Sequence, residues 1–437
     1  MRALELPYVS LVVLAALIAP AAGGTEPVPD SSSAEAGLRT AGRAPGIEIE
    51  IVESVPVETR LDQPDIRNAA DVWVEMIEGA RETLDLAEFY LSNNEGENLL
   101  EPVIQAILTA AERGVRVRVL TDQSFYPTYP KTIDRLKSAD GIEVRLYDIK
   151  PLTGGVLHAK YFIVDNQELF LGSQNFDWRA LEHIHEIGLR VASQTLARTL
   201  GRIFDADWRL AGEEEGPASA LDEGGEGPAD SVDAAPNLPT WEETPGGEIT
   251  RAYLVASPPE LNPTGIPASE PELIRLVDSA KEDILIQLLS YSPTDAQRRF
   301  YPEIDNALRS AAARGVTVRM ILSDWNKRHP GIDYLKSLSL VPNVRIRLST
   351  IPPWSGGFIP FARVEHCKYM VIDGRTLWVG TSNWSKDYFH SSRNVEMVVV
   401  SDSLAERMRR VFEDGWNGPY TYPLRVDVDY PAPRTRE

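Results

Sequence analysis

The chain has 437 residues, enough for two or three domains that each bury a core. A hydrophobic fraction of 43% beside 25% charged residues is that of a globular protein, and it excludes wholesale disorder, a collagen repeat and a multi-span membrane protein. The net charge of −21 argues at face value against a polyanionic partner, and the single cysteine, Cys367, excludes an internal disulfide framework and a Cys-rich zinc site.

At the N-terminus, Arg2 precedes an apolar run from Pro7 to Ala22 that only Ser10 interrupts, ending in Ala19-Pro20-Ala21-Ala22-Gly23. A basic start, a short apolar centre and a small-residue exit read as a secretory signal peptide over 1–22, hence export to a bacterial periplasm or medium. The run is shorter than the roughly 20 residues a spanning helix needs. Residues 23–46 read as a disordered tether.

The next stretch, 47–211, opens a repeat. A helical pattern, the strand "LDLAEFYLS" (84–92), a second helix and "ERGVRVRVLTD" (112–122) follow one another. The same order returns about 200 residues later, within 249–437, with "ILIQLLSYS" (284–292) and "ARGVTVRMILSD" (313–324). In both copies Arg-Gly closes a helix and an alternating β-branched strand follows. Helices alternating with strands predict two similar α/β sandwich halves with mainly parallel sheets, packed as a pseudo-twofold intramolecular dimer. Between the halves, 212–248 carries eleven Asp/Glu and no Lys or Arg, and reads as a solvated linker without packed elements.

Each copy continues into the same motif, H-x-K-x4-D-x6-G-[ST]-x-N. The first is "VLHAKYFIVDNQELFLGSQNFDW", with His158, Lys160, Asp165, Ser173 and Asn175. The second is "VEHCKYMVIDGRTLWVGTSNWS", with His366, Lys368, Asp373, Ser382 and Asn383. On a strand, residues two apart share a face, so each His projects with its Lys. Halves packed face to face would bring two imidazoles, two ammoniums and two amides around one phosphate. Such a pocket suits two-step phosphodiester cleavage, one imidazole attacking phosphorus and the other serving the leaving oxygen as acid and then water as base. Glu186, 11 residues after Asn175, and Glu396, 13 after Asn383, lie in strand-like runs that return beside the motifs, and each is a candidate to orient an imidazole.

The paired motifs resemble the phospholipase D superfamily, and "LGSQNFDWRAL", "AYLVASPPELNPTG", "IPFARVEHCKYMV", "VGTSNWSKDYF" and "GWNGPYTYPL" look like its branch of endolysosomal single-strand 5′-exonucleases. The similarity spans about residues 50–430. It implies phosphodiester hydrolysis through a phosphohistidine without metal or other cofactor. His158 would be the nucleophile and His366 the general acid/base. Lys160, Lys368, Asn175 and Asn383 would bind phosphoryl oxygens, Ser173 and Ser382 would contact the substrate, and Asp165 and Asp373 would organise the site. The implied substrate is single-stranded DNA or RNA. A phospholipase D or transphosphatidylase acting on phospholipid would use the same residues, and a silent binding protein on the same fold is disfavoured by two complete motifs. The internal pairing removes the need for a homodimer without forbidding one.

Weaker signals surround the motifs. His183 and His185 have a metal-compatible H-x-H spacing but read better as solvent-facing. Trp178 and Trp384 read as core, whereas Trp354 and Phe358, in a Pro/Gly-rich loop before the second motif, read as a substrate-facing lid. The charge is also uneven: residues 309–393 carry thirteen Lys/Arg against five Asp/Glu, so the half holding His366 is locally positive.

Overall fold

The computed structural model describes residues 47–212, 240–243 and 249–436. The expected signal peptide, the tether and most of the acidic linker lie outside them. Among the described residues no helix is long and apolar enough to cross a membrane.

Each half is built on one mixed sheet. In the first, the strands Thr83–Glu88, Arg116–Asp122 and Ile142–Tyr147 run parallel. The motif strand Lys160–Val164 is antiparallel to the first of these and forms a hairpin with Glu168–Gly172, beyond which lie Glu186–Ala192 and Glu48–Ser54, both antiparallel. The second sheet repeats this with Asp283–Leu288, Thr317–Ser323 and Val344–Ser349 parallel. There Lys368–Ile372, Thr376–Gly380, Asn394–Val400 and Ile249–Ser257 continue it antiparallel. The two α/β halves are as expected, but the sheets are mixed rather than mainly parallel. The motif makes the difference: its Asp sits at a tight reversal, and a strand joined by a tight turn must return antiparallel.

That reversal explains the motif's aspartates. Asp165 and Asn166 have φ of 52° and 51°, and Asp373 and Gly374 have 51° and 60°, the left-handed pair of a type I′ turn. Asp is among the few side chains that tolerate this conformation. Each carboxylate also caps the start of a neighbouring strand. Asp165 accepts from the backbone N–H of Arg81, Glu82 and Thr83 at 2.7–2.9 Å, and Asp373 accepts from Lys281, Glu282 and Asp283.

Helices Ala69–Gly79 and Leu100–Glu112 cover the outer face of the first sheet, and Ser269–Ser279 and Glu303–Ala313 cover that of the second. The inner faces share one core. Tyr161, Ile163 and Leu171 of the first half join Tyr369, Val371 and Val379 of the second, with helices Gln194–Leu210 and Asp402–Asn417 packed in. The two motif strands therefore face each other through the middle of one body. A buried ion pair crosses the same interface: Arg393 of the second half donates to Asp207 of the first at 2.8 Å, both side chains fully buried.

The acidic segment is not wholly without structure. Thr240–Glu243 forms an edge strand antiparallel to Ile249–Ser257, from Thr240 opposite Ala252 to Glu243 opposite Ile249. An edge position needs only one hydrogen-bonding partner, which a segment poor in core residues can supply.

Candidate active site

His158 and His366 stand just before the motif strands, and Lys160 and Lys368 open them. Ala159 and Cys367, between them, turn into the shared core. Each Lys Nζ donates to the carbonyl of its own motif histidine, 2.8 Å in the first half and 2.7 Å in the second. Among the described residues this single bond leaves each ammonium two further donors. Both lysines are fully buried, while the histidines keep 5% and 7% exposure.

The halves then exchange contacts. The His158 backbone N–H donates to Arg393 O and the His366 backbone N–H to His185 O, both at 2.9 Å. The ring of His366 meets the first half, where its Nδ1 donates to Glu186 Oε2 at 2.7 Å. The ring of His158 meets the second half, where its Nδ1 lies 2.9 Å from Asn394 Oδ1. Asn394 Nδ2 donates to the carbonyls of Tyr388 and Ser392, and the Thr381 hydroxyl donates to its Oδ1. Asn394 thus presents oxygen to the ring, Nδ1 of His158 carries the proton, and Nε2 keeps its lone pair.

One imidazole is backed by a carboxylate and the other by an amide. Burial, then the charges of Lys160 and Lys368, push both well below the usual histidine range. Glu186 accepts from Nδ1 of His366 alone, and burial raises its own carboxyl well above the usual range, opposed first by Lys368. Burial also lowers both lysines, with Lys368 reaching about 8 and Glu186 opposing the fall. Glu88, opposite Lys160 in the register, is buried, and burial raises its carboxyl well above the usual range with only Lys160 opposing.

The motif glycines allow close strand approach. A Cβ on Gly172 would lie 2.8 Å from Gly188 Cα, and one on Gly380 would overlap the Glu396 side chain. Asn175 and Asn383 follow those strands, nearly buried, each with its Oδ1 unpartnered among the described residues. Ser173 Oγ accepts from the Ile187 N–H at 3.0 Å, and Ser382 bonds Glu396, so the two serines hold the returning strands.

Several expectations change. Glu396 does not orient an imidazole: it bonds Ser269 and Ser382, and burial raises its carboxyl to about 7. Asn394, which the sequence reading passed over, holds that place. It lies 11 residues after Asn383, as Glu186 does after Asn175. Asp165 and Asp373 do not organise the pocket, since each lies beyond the far end of a five-residue strand, roughly 16 Å from the lysine. His183 and His185 are buried rather than solvent-facing. His183 packs between Trp178 and Trp354, ring centroids 5.4 and 5.0 Å away, and burial and then Arg363 push it down to about 4. His185 Nδ1 bonds Glu365 at 2.8 Å, and His185, Glu365 and Cys367 bring ligand atoms within 4.8 Å of one another. The ion pair occupies Nδ1 of His185, its Nε2 has no partner among the described residues, and His183 is not in the group.

Trp384 is core, Trp178 packs half-buried on the first-half core, and Phe358 is 41% exposed under the Arg434 guanidinium. The structure joins Trp354 to His183, and shows neither Trp354 nor Phe358 against the motif residues. Tyr388 instead reaches the site, edge-on to His158 at 4.9 Å.

Two α/β halves that pool two His-Lys pairs in one buried pocket define a phosphoryl-handling enzyme. The family model described as "Cardiolipin synthase, PLD-like domain" matches residues 73–208 and 273–416, one segment per half. The chain belongs to this phospholipase D superfamily and is a hydrolase acting on phosphodiester bonds. The 5′-3′ exonuclease PLD3 of Xenopus laevis is 34% identical over 406 residues, covering 85% of this chain and 80% of the relative. Its namesake in Homo sapiens is 31% identical over 425 residues, covering 87% and 82%. Among solved structures, phosphatidylserine synthase of Haemophilus influenzae shares the fold at a TM-score of 0.54 and 12% identity, over 81% of this chain and 85% of that one.

Proposed function

We propose that this protein is an exported phosphodiesterase that shortens single-stranded nucleic acid from its 5′ end through a phosphohistidine on His158. The observation that carries the reading is the unequal pairing of the two imidazoles. His158, with a neutral amide on Nδ1 and a free Nε2 lone pair, suits a nucleophile. His366, with Glu186 on Nδ1, suits the group that must hold a proton.

In the first step the His158 Nε2 lone pair attacks phosphorus, the bond from phosphorus to the leaving oxygen breaks, and His366 gives that oxygen its proton. In the second, His366 takes a proton from water, the water oxygen attacks phosphorus, and the N–P bond breaks to restore neutral His158. Lys160 and Lys368 face the charge that grows on the non-bridging oxygens. Asn175 and Asn383 follow the motif hairpins, each with a side-chain amide for the same oxygens.

Nucleic acid as substrate is supported by relatives named 5′-3′ exonucleases over most of the chain and by the positive stretch around the second motif. Export rests on the N-terminal apolar run. The test offers purified protein a 5′-hydroxyl single-stranded oligonucleotide and, separately, phosphatidylcholine vesicles, both with EDTA. Shortening of the oligonucleotide without choline release supports the reading, and choline release alone overturns it.

A further inference from the structure

A run of aromatic side chains leads away from His158 and has no role in the steps above. Phe89 packs against the His158 ring at 4.8 Å and against Phe125 at 4.3 Å. Phe125 stacks on Tyr90 at 5.6 Å with 17° between planes, and Tyr90 stacks on Tyr129 at 5.0 Å with 25°. Phe89 and Tyr90 follow the Thr83–Glu88 strand, and Phe125 and Tyr129 lie in the turn after Arg116–Asp122. Both loops leave the C-terminal ends of neighbouring parallel strands, the usual ligand edge of an α/β sheet.

Two observations separate this run from ordinary packing. All four rings keep part of their surface exposed, although the Tyr90 hydroxyl is buried, whereas the core cluster of Trp73, Phe162, Phe170 and Phe176 in the same half is buried throughout. Cations also flank it at both ends: Lys160 Nζ lies 5.1 Å from the Phe89 ring, and the Arg179 guanidinium lies 5.7 Å from Tyr129. The run is one-sided as well. The positions in the second half equivalent to Phe89, Tyr90, Phe125 and Tyr129 are Leu289, Ser290, Asn326 and Pro330, although Trp325 in the same turn packs on Phe361.

Resting on the nuclease reading, we infer that Phe89, Tyr90, Phe125 and Tyr129 form a stacking track for the unpaired bases of the strand whose phosphate reaches His158. Aromatic faces beside a cationic pocket grip bases of any sequence and exclude paired ones, whose faces are already stacked. A track on one half alone also gives the bound strand a direction.

The experiment uses the full chain with oligothymidylates of two and ten nucleotides. The wild type has the lower KM for the decamer. Tyr129→Leu and Phe125→Leu each raise the decamer KM about tenfold and narrow its advantage over the dinucleotide, while Tyr129→Phe and Phe125→Trp keep it. A decamer advantage that survives both Leu variants overturns the track while leaving the nuclease reading intact. Failure of the wild type to cut either oligonucleotide overturns the nuclease reading and the track with it. Should the Leu variants unfold, photocrosslinking of a phosphorothioate decamer bearing 5-iodouracil to the wild type decides: adducts on the track rings support it, and adducts only elsewhere overturn it.

Discussion

Replacing Asn394 by Asp tests the division of labour between the histidines. The change keeps the shape of the side chain and places a carboxylate 2.9 Å from His158 Nδ1. At an effective dielectric of about 20, a unit charge pair at that distance attracts by roughly 6 kcal/mol, an upper bound because the new carboxylate must itself be desolvated. A net gain of about 1.5–3 kcal/mol, usual for a charged hydrogen bond, raises the His158 pKa by roughly one to two units. His158 must be neutral to attack. In the wild type, burial and the two lysines hold it well below 6.5, so the acid limb of kcat/KM lies below that pH. In Asn394→Asp a larger part of the enzyme is protonated at a given acidic pH, and the limb moves up by the same one to two units. The assay is kcat/KM against pH with a chromogenic phosphodiester. An unmoved acid limb would refute the reasoning, and movement of the basic limb instead would exchange the two roles.

Other consequences concern neighbouring groups. Glu186→Gln removes the acceptor that orients Nδ1 of His366, so kcat falls by about 100-fold and the pH profile shifts; an unchanged profile and rate would detach Glu186 from catalysis. Lys368 loses its charge above about pH 8, so KM for a phosphodiester rises as pH passes 8 while remaining level below it, in steady-state kinetics. Asp165→Ala removes the acceptor of three backbone N–H groups and costs about 2 kcal/mol in urea unfolding, with kcat of the folded enzyme retained. Arg393→Ala leaves Asp207 buried and unpaired between the halves and costs roughly 3–5 kcal/mol by the same measurement.

The repeat made much of this legible before any coordinates. Twofold recurrence of H-x-K-x4-D-x6-G-[ST]-x-N placed both His-Lys pairs, because strand alternation puts residues two apart on one face. It could not show that each ring is oriented from the other half, since that exchange depends on how the halves dock. Glu396 is the carboxylate of the returning strand, whereas equal spacing from the motif asparagines picks out Asn394, an amide in the carboxylate's place. The aspartates recur in both copies for a different reason than chemistry: a left-handed turn that also needs an acceptor for three N–H groups. His183 and His185 looked exposed in a polar run, yet the second-half segment at 363–366 pairs with them, and local composition carries no record of a partner 180 residues away. The aromatic run was equally hidden, being split between two loops that only the parallel sheet brings together.

The central claim is the covalent step on His158. Acid-labile phosphoryl adducts on histidine survive alkaline quenching, so intact-mass and peptide mass spectrometry of the protein stopped during turnover reads it directly. The account predicts one phosphodiester-derived adduct, mapped to His158, enriched in Glu186→Gln and absent from His158→Ala. An adduct mapped to His366 instead, persisting in His158→Ala, would contradict it.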